Sequence, residues 1–370
     1  MDRFTSDVIV IGGGIAGSSI AYRLAEKGRS VILLEKGRVG EEASGRNGGG
    51  VRQQDRDPVE LPLAMAAIKI WADMKDELDG DVGYRRGGNI NYAHSEQKLE
   101  ALRRRAERET QAGLAVDILS PEDTRRLTPF LSEKVELFGS KYCPSDGTAN
   151  PLLVVKAICR AAHRKGVQIH EHSPVRQLKT TNGRVTTAVT EKGAYEGAVF
   201  VNAAGPWAKG LCHQIGLDIP ITIQKETIMI TEALPPMIRQ FVQSDKFYFR
   251  QALEGNLHIA GDITKRPVTQ IDKSVDFDFF VEIGRWLPDF LPILRNASLI
   301  RAFTGIIEYT PDKLPILDQA PGFENFFLAT GFSGHGFCLG PIVGRLMAEW
   351  IVDGKSSLDL SPLRWSRFAS

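Results

Sequence analysis

Hydrophobic and polar positions at the start of the chain predict a strand, a helix and a second strand. The short run Asp7–Ile11 is typical of a buried strand, and glycines follow it directly. Ile20 and Leu24 are four positions apart, which is the spacing of one helix face, and Gly28 would end that helix. Val31–Leu34 forms a second apolar run that stops at an acidic residue. The pattern therefore predicts a βαβ unit.

Later segments alternate between helical and strand patterns, and residues 219–303 contain longer strands with aromatic content. This pattern is typical of an antiparallel sheet that is covered by a helix, so we expect a second lobe there. The predicted segments are a helix within 58–78, a helix capped by Ser95, a helix that begins at Asn150-Pro151, a hairpin that turns at Asn182-Gly183, strands at 199–201, 221–230, 247–250, 257–260 and 326–329, and helices at 279–286 and 341–352.

Charge and composition exclude several classes of function. Lys and Arg together number 46 against 45 for Asp and Glu, so no net field would attract nucleic acid or an anionic membrane. Four widely spaced cysteines form neither a metal motif nor a disulfide framework, and no apolar run is long enough to span a bilayer. His170 and His172 could share a strand face, but the sequence offers no third ligand, so no metal site is expected. We therefore expect a cytoplasmic protein with a small-molecule substrate.

The glycines after the first strand fit the GxGxxG dinucleotide-binding fingerprint. They open a helix whose N-terminus would bind a pyrophosphate, and Glu35 at the end of the next strand would bind ribose hydroxyls. A glycine-rich turn without a ligand is the alternative, and the strand–turn–helix context with its acidic residue argues against it. The predicted contacts of this segment are Gly12, Gly14, Ile15, Ala16, Gly17, Glu35 and Lys36.

Three further glycine-rich segments favour a flavin over a nicotinamide. One runs through residues 43–54, directly after Glu35, and the others lie far downstream at 201–207 and 331–337. An extended flavin nucleotide needs backbone-lined contacts along its whole length, and glycine-rich ends of several strands would supply them.

The segments ASGRNGGGVRQQ and TPDKLPILD with ATGFSGHGF resemble the D-amino-acid oxidase superfamily of FAD-dependent oxidoreductases, and most of all its branch of sarcosine oxidase and proline dehydrogenase β-subunits. The resemblance covers essentially the whole chain. It implies an α/β fold of two lobes, a Rossmann-type FAD-binding domain and an antiparallel-sheet substrate domain. The FAD-binding domain would comprise residues 1–80, 146–215 and 312–370, and the substrate domain residues 81–145 and 216–311.

The resemblance also implies a set of cofactor contacts. Residues 331–337 would face the isoalloxazine, and the helix after them would favour the reduced anion through its positive end. A structural role for His335 between its glycines stays an open alternative. The implied contacts are Ser44, Arg46 and Asn47 near the pyrophosphate, Gly48 and Gly49 beside them, Val175 at the adenine, Ala203, Ala204, Gly205 and Trp207 along the cofactor, and Gly331, Gly334, His335, Gly336 and Phe337 at the flavin ring.

Arg52 occupies the position of the family arginine that pairs with a substrate carboxylate. A guanidinium suits this role because it binds a carboxylate through two parallel hydrogen bonds. A surface arginine with a carboxylate partner elsewhere is the alternative. Tyr248, Arg250 and Arg301 are further candidates over the substrate, because each lies on a predicted strand of the second lobe.

Four positions depart from the pattern of monomeric and heteromeric sarcosine oxidases. Gly305 replaces the cysteine that tethers FAD, so non-covalent FAD is expected, and His258 replaces the lysine that activates oxygen. Cys338 replaces a carboxylate-binding lysine, and Pro151 stands near the histidine that carries covalent FMN. These differences argue against a stand-alone sarcosine oxidase. They leave open a dehydrogenase subunit that passes electrons to a partner, with FMN at a subunit interface.

The implied reaction removes a hydride from the carbon beside the nitrogen of a small primary or secondary amino acid. Sarcosine, proline or hydroxyproline, glycine, opines and D-amino acids are the substrate classes considered. Two alternatives stay open: oxidation of a hydroxy acid by the same fold, and a non-catalytic FAD-carrying subunit that relays electrons.

Overall fold

The computed structural model describes residues 2–368, so residues 1, 369 and 370, at the ends of the predicted FAD-binding domain, lie outside it. Strands form two large sheets and one two-stranded ribbon. In chain order the strands are β1 (Asp2–Ile11), β2 (Val31–Leu34), β3 (Gly50–Val51), β4 (Asn89–Ala93), β5 (Asp117–Leu119), β6 (Gly139–Cys143), β7 (Gly147–Thr148), β8 (Gln168–His170), β9 (Gln177–Thr181), β10 (Arg184–Val189), β11 (Gly193–Asn202), β12 (Thr222–Ala233), β13 (Phe241–Gln243), β14 (Tyr248–Gln251), β15 (Asn256–Ala260), β16 (Lys265–Val268), β17 (Leu299–Tyr309), β18 (Ile316–Gln319) and β19 (Phe326–Thr330).

Helices connect and cover the sheets, and no helix among residues 2–368 is long and apolar enough to cross a membrane. Ser95 and Asn150 cap their helices through side-chain oxygens, as the sequence predicts. The α-helices are α1 (Ile15–Glu26), α2 (Leu61–Glu77), α3 (Glu96–Gln111), α4 (Pro121–Leu127), α5 (Pro151–Arg164), α6 (Ala208–His213), α7 (Asp278–Phe290) and α8 (Gly336–Asp353).

The first sheet has the strand order β18-β19-β11-β1-β2-β8, and the β9–β10 hairpin extends it beside β11. β1 is parallel to both β2 and β11, so the predicted βαβ unit is confirmed. Residues 8–11 and 31–34 are buried and apolar without alternation because both sheet faces are covered. Helices α1, α5 and α8 pack on one face, while α6 and the hairpin pack on the other.

The second sheet is mostly antiparallel, as predicted, with the order β16-β12-β15-β14-β13-β4-β6-β5 and β17 paired to β12. Only the pairing of β13 with β4 is parallel among the described strands of this sheet. α7 covers one face, where Phe279 and Ile283 pack against Phe249 of β14. The strands of each sheet fall within the residue ranges predicted for one domain, while the domain boundaries themselves stay predictions.

α8 begins five residues before the predicted start. The sequence suggested Pro341 as its first residue, but the helix starts at Gly336 and Pro341 lies inside it. Proline lacks an N–H, so its position costs one intrahelical hydrogen bond. As a consequence, the end of the third glycine-rich segment forms the first helical turn and presents backbone N–H groups.

Candidate functional site

One cavity of about 740 Å³ is lined by both large sheets and by all three glycine-rich segments. It brings together Arg52 and Tyr248 with most of the predicted cofactor contacts, whereas Gly17, Gly331, His258 and Arg301 lie outside its lining. The predicted cofactor residues that line it are Gly12, Gly14, Ile15, Ala16, Glu35, Lys36, Ser44, Arg46, Asn47, Gly48, Gly49, Val175, Ala203, Ala204, Gly205, Trp207, Gly334, His335, Gly336 and Phe337.

The fingerprint glycines are required by close backbone contacts. Gly12 has φ +110°, and a Cβ there would lie 2.3 Å from the Ala203 carbonyl oxygen. A Cβ on Gly17 would lie 2.0 Å from the Gly12 oxygen, so Gly17 serves helix–strand packing rather than ligand contact. Gly14 lines the cavity at the start of α1, where an N-terminus and a bare backbone fit a pyrophosphate.

Glu35 directly follows β2 and is almost fully buried at the nucleotide end of the cavity. Its Oε2 accepts from the Gly13 N–H and its Oε1 from the Gly37 N–H, both at 2.7 Å. Burial raises the pKa of this carboxyl, although the two N–H donors oppose the rise. Each oxygen retains further acceptor capacity, so the geometry fits ribose hydroxyls. Beside it, the Lys36 ammonium lies 3.9 Å from the centre of the Trp207 ring.

The loop 43–49 is fixed by its own polar side chains. Asn47 donates to the Ser44 carbonyl at 2.9 Å and accepts from the Gly49 N–H at 2.8 Å. The Ser44 hydroxyl accepts from the Ile15 N–H at 2.9 Å, which ties the loop to the first turn of α1. Arg46 donates to the Glu41 carbonyl at 2.8 Å. The pyrophosphate contacts of Ser44, Arg46 and Asn47 stay predictions. The hydrogen bonds within the loop already use one donor and one acceptor of the Asn47 amide.

Gly48 and Gly49 allow the second sheet to approach this loop. A Cβ on Gly48 would lie 2.3 Å from Cε2 of Tyr248, and one on Gly49 would lie 2.6 Å from Nε of Arg250. Arg250 donates through Nε to the Gly48 carbonyl at 2.6 Å, and burial lowers its pKa to about 10. Arg250 therefore fixes the glycine run and does not line the cavity.

The third glycine-rich segment places the first turn of α8 against the cavity. Residues 332–337 line it, whereas Gly331 has φ +72° and packs against the Thr310 side chain. Backbone N–H groups and the positive end of α8 therefore face the space expected for the flavin ring. Nδ1 of His335 lies 2.7 Å from Oε2 of Glu60, and burial, with Arg56, lowers the pKa of His335 to about 4. This pairing favours the structural role of His335.

Arg52 presents a guanidinium to the cavity without a carboxylate partner. Among the described residues no Asp or Glu oxygen lies within 4.0 Å of it, and Nη1 donates to Gln243 Oε1 at 3.0 Å. Burial and then Arg56 lower its pKa. Neighbouring Lys98 and Arg105 each pair with an aspartate instead.

A buried ionic network contacts Gln243, the hydrogen-bond partner of Arg52. Gln243 donates to Asp55 Oδ2 at 2.5 Å, and Lys141 contacts Asp55 at 2.9 Å and Glu109 at 2.7 Å. Burial alone would raise the pKa of Asp55, but Lys141 lowers it well below its usual value. Asp55 is therefore ionised, and it fixes Gln243 and, through it, Arg52.

Sequence reasoning missed several charged residues that line the cavity, among them Glu226, Glu308 and Lys265. Glu226 lies on the same face of β12 as Ile228 and Ile230. An acidic residue on this otherwise apolar strand face is the sequence feature that could have identified it. Burial raises the pKa of Glu226, and it raises the pKa of Glu308 to about 7.

His258 and Arg301 share a sheet face with the cavity residues but lie too far along their strands. Both pair in register with Ile230, whereas Gly305 and Lys265 pair with Glu226. Four residues separate the two rows, which is about 13 Å along a strand. Arg301 is exposed, and His258 lies beside Arg250, where burial lowers its pKa to about 3. Neither residue lines the cavity, and a role for them over the substrate stays a prediction.

The positions that depart from the sarcosine oxidase pattern are filled by tight packing. A Cβ on Gly305 would lie 2.8 Å from the Arg46 carbonyl oxygen, which leaves no room for a tethering cysteine. Cys338 is buried and its Sγ contacts the Arg52 carbonyl at 3.3 Å. Among the described residues no cluster of three or more His, Cys, Asp or Glu side chains could bind a metal ion.

Comparison with known proteins identifies the family. Residues 7–350 match the DAO family, described as FAD dependent oxidoreductase. The chain is 28% identical to the mitochondrial pyruvate dehydrogenase phosphatase regulatory subunit of Mus musculus, over 99% of this chain and 43% of that protein. It is 27% identical to mitochondrial sarcosine dehydrogenase of Homo sapiens, over 98% of this chain and 41% of that protein. The chain thus spans less than half the length of these relatives.

A solved structure extends the likeness to the entire fold. L-proline dehydrogenase from P. horikoshii superposes with a TM-score of 0.94 at 26% identity, covering 100% of this chain and 99% of that one. The bare fingerprint turn, the buried Glu35 carboxyl and the α8 N-terminus all fit FAD. The chain belongs to the DAO family of FAD-dependent oxidoreductases.

Proposed function

We propose that this chain oxidises the carbon–nitrogen bond of a small amino acid with non-covalent FAD. The observation that carries this proposal is Arg52, a partly buried guanidinium in the cavity wall without a carboxylate partner among the described residues. When bound, FAD would accept a hydride from the carbon beside the nitrogen. The resulting imine would hydrolyse in water.

The protein would act mainly by orientation and electrostatics. Arg52, fixed by Gln243, would bind the substrate carboxylate, and Tyr248 would form part of the wall that excludes water. The N–H groups at the start of α8 would stabilise negative charge that develops on the cofactor. No proton-transfer group is needed at the carbon itself, because hydrogen leaves it with its electron pair.

Secondary amino acids are the substrate class we favour, with a dehydrogenase rather than an oxidase activity. Relatives in sequence and structure are named sarcosine dehydrogenase and L-proline dehydrogenase. Among the described residues three lysines line the cavity, Lys36, Lys98 and Lys265, and the ammonium of each contacts a carboxylate, so all three are already paired. Electrons would then pass to a partner subunit, with FMN at that interface left open, and a cytoplasmic location stays a prediction.

An anaerobic screen tests this proposal. Sarcosine, proline, hydroxyproline, glycine, opines and D-amino acids are mixed with the holoprotein, and flavin absorbance is followed. Bleaching by one of these, and not by the amine that lacks its carboxylate, is the expected result. Bleaching by an α-hydroxy acid alone would overturn the amino-acid assignment in favour of the hydroxy-acid alternative.

A non-catalytic role is the second candidate, because one relative is named a regulatory subunit. A subunit of this kind would bind FAD and could relay electrons within a complex, or serve regulation alone. The same screen separates the candidates, because a non-catalytic subunit would show no bleaching with any substrate class.

A further inference from the structure

Glu226 is a buried carboxyl in the same cavity as Arg52. The residue is 5% exposed, it lines the cavity, and its Oε1 has no hydrogen-bond partner within the described part of the chain. A buried polar group without a hydrogen-bond partner destabilises the folded protein, and more so when it is charged. A ligand that donates a hydrogen bond to this oxygen would remove that cost.

Charged neighbours surround Glu226 without neutralising it by direct contact. Lys265 pairs with it in strand register, yet its ammonium contacts Asp262 and lies beyond 4.0 Å from the Glu226 oxygens. Tyr248 and Tyr309 are the phenols that face this group. Burial raises the pKa of Glu226 and Lys265 opposes the rise, so a cation placed beside it would favour the ionised form.

Arg52 and Glu226 flank an aromatic surface. The Arg52 guanidinium lies 5.7 Å from the Phe241 ring centre, and the Phe241 and Tyr248 rings stack at 5.3 Å. The Glu226 carboxyl adjoins Tyr248 and helps raise the pKa of that phenol. A positive group, an apolar wall and a negative group thus follow one another along the cavity.

We propose that Glu226 binds the cationic nitrogen of the amino acid whose carboxylate Arg52 binds. This inference rests on the proposed function and deepens it, since it assigns recognition of a zwitterion to two opposite charges in one cavity. It also explains why the protein would bind amino acids in preference to hydroxy acids. The neutral hydroxyl of a hydroxy acid would leave the Glu226 carboxylate without a counter-charge.

The same carboxylate would accept a proton from the bound ammonium. The N–H bond breaks, an O–H bond forms at Glu226, and the nitrogen keeps the electron pair that the carbon–nitrogen double bond requires. With Glu226→Gln, flavin reduction should therefore require a higher pH, at which the free amine is already neutral.

Binding of two inert ligands of equal shape tests the inference without turnover. Glycine betaine carries a permanent positive charge, and tert-butylacetate replaces its nitrogen by carbon. Their dissociation constants are measured on the holoprotein from changes in flavin absorbance. We expect betaine to bind at least about tenfold more tightly than tert-butylacetate, a ratio that E226Q should reduce to about one.

Glu308→Gln is the matched control, because Glu308 is also a buried carboxyl of the cavity wall but contacts the Phe332 N–H. It should retain the preference for betaine, and E226D should retain part of it. Equal binding of the two ligands by the parent protein would overturn the inference, even if E226Q failed to fold.

The outcome also separates this inference from the proposed function. If both ligands bind in a manner that depends on Arg52 but without preference for the cation, only the role of Glu226 fails. If neither ligand binds, the carboxylate site fails and the inference fails with it.

Discussion

Arg52 is partly buried in the cavity wall, so its charge has lost part of its hydration without gaining a carboxylate contact. Arg52→Ala should weaken the binding of a substrate carboxylate by about 2–5 kcal/mol, because the ligand charge would then lack its partner. Arg52→Lys should recover only part, since an ammonium cannot form two parallel hydrogen bonds. Titration of the holoprotein with an inert carboxylate, followed by flavin absorbance, measures both effects.

Arg301→Ala is the control for this experiment, because Arg301 is exposed and four residues along β17 from the row of Glu226. It should bind the carboxylate as the parent does, and FAD content should be equal in all variants. An Arg52→Ala protein with unchanged affinity would place the carboxylate site elsewhere.

Glu35 links the fingerprint turn to the nucleotide end of the cavity through two backbone N–H groups. Glu35→Ala should weaken FAD retention by about 1–3 kcal/mol, since it removes both the ribose acceptors and the support of Gly13. Glu35→Gln should lose less, because one carbonyl oxygen remains. Serial dilution of each holoprotein followed by ultrafiltration, with FAD fluorescence measured in the filtrate, ranks the three proteins by FAD affinity. Equal retention of FAD by all three would exclude Glu35 from FAD binding.

At the scale of elements, the contact between loop 43–49 and β14 depends on a missing side chain. Gly48→Ala would place a Cβ 2.3 Å from the Tyr248 ring, so the loop or the strand must shift. We expect a loss of about 1–3 kcal/mol in unfolding free energy together with weaker FAD binding. Gly284→Ala is the matched control, because this exposed position in α7 has no atom within 4 Å of an added Cβ. Alanine there should raise the unfolding free energy by about 0.5–1 kcal/mol. Denaturant titration compares them, and equal effects would contradict the packing argument.

β17 also carries a pH-dependent contact with the segment before α8. Burial raises the pKa of Glu308 from 4.5 to about 7, so the folded protein binds a proton there more tightly than the unfolded chain. Its stabilising contribution is fully present below pH 4.5 and is lost as the pH rises through 7, by about 3 kcal/mol in total.

Glu308→Gln should remove that slope from the pH profile of unfolding free energy. Other buried groups titrate in the same window, among them Asp146, whose pKa burial raises to about 6. The difference between parent and variant from pH 4 to 8 therefore isolates Glu308. If the difference in unfolding free energy does not change with pH, the pKa of the Glu308 carboxyl is not raised in the folded protein.

For the molecule as a whole, the sequence predicted what is local in the chain. The fingerprint turn and the hairpin at Asn182-Gly183, with φ values of 49° and 70°, each lie within a few consecutive residues. The partners of Arg52 could not be predicted in this way, since Gln243 is 191 positions away. The distance of His258 and Arg301 from the row of Glu226 could not be predicted for a related reason: alternation specifies a strand face, whereas the position along the strand depends on register between distant segments.

FAD should stabilise the whole protein without a covalent bond. The cavity is lined by both large sheets, so a bound dinucleotide would contact each of them, and ligand binding to the folded state alone raises stability with ligand concentration. We expect the purified protein to be yellow, and the apoprotein to melt at a lower temperature that rises on addition of FAD. Acid precipitation should leave intact FAD in the supernatant, because Gly305 has no room for a tether beside the Arg46 carbonyl. Flavin that stays in the precipitate would contradict the non-covalent assignment, and stabilisation by a nicotinamide dinucleotide but not by FAD would contradict the fit of the cavity to a flavin.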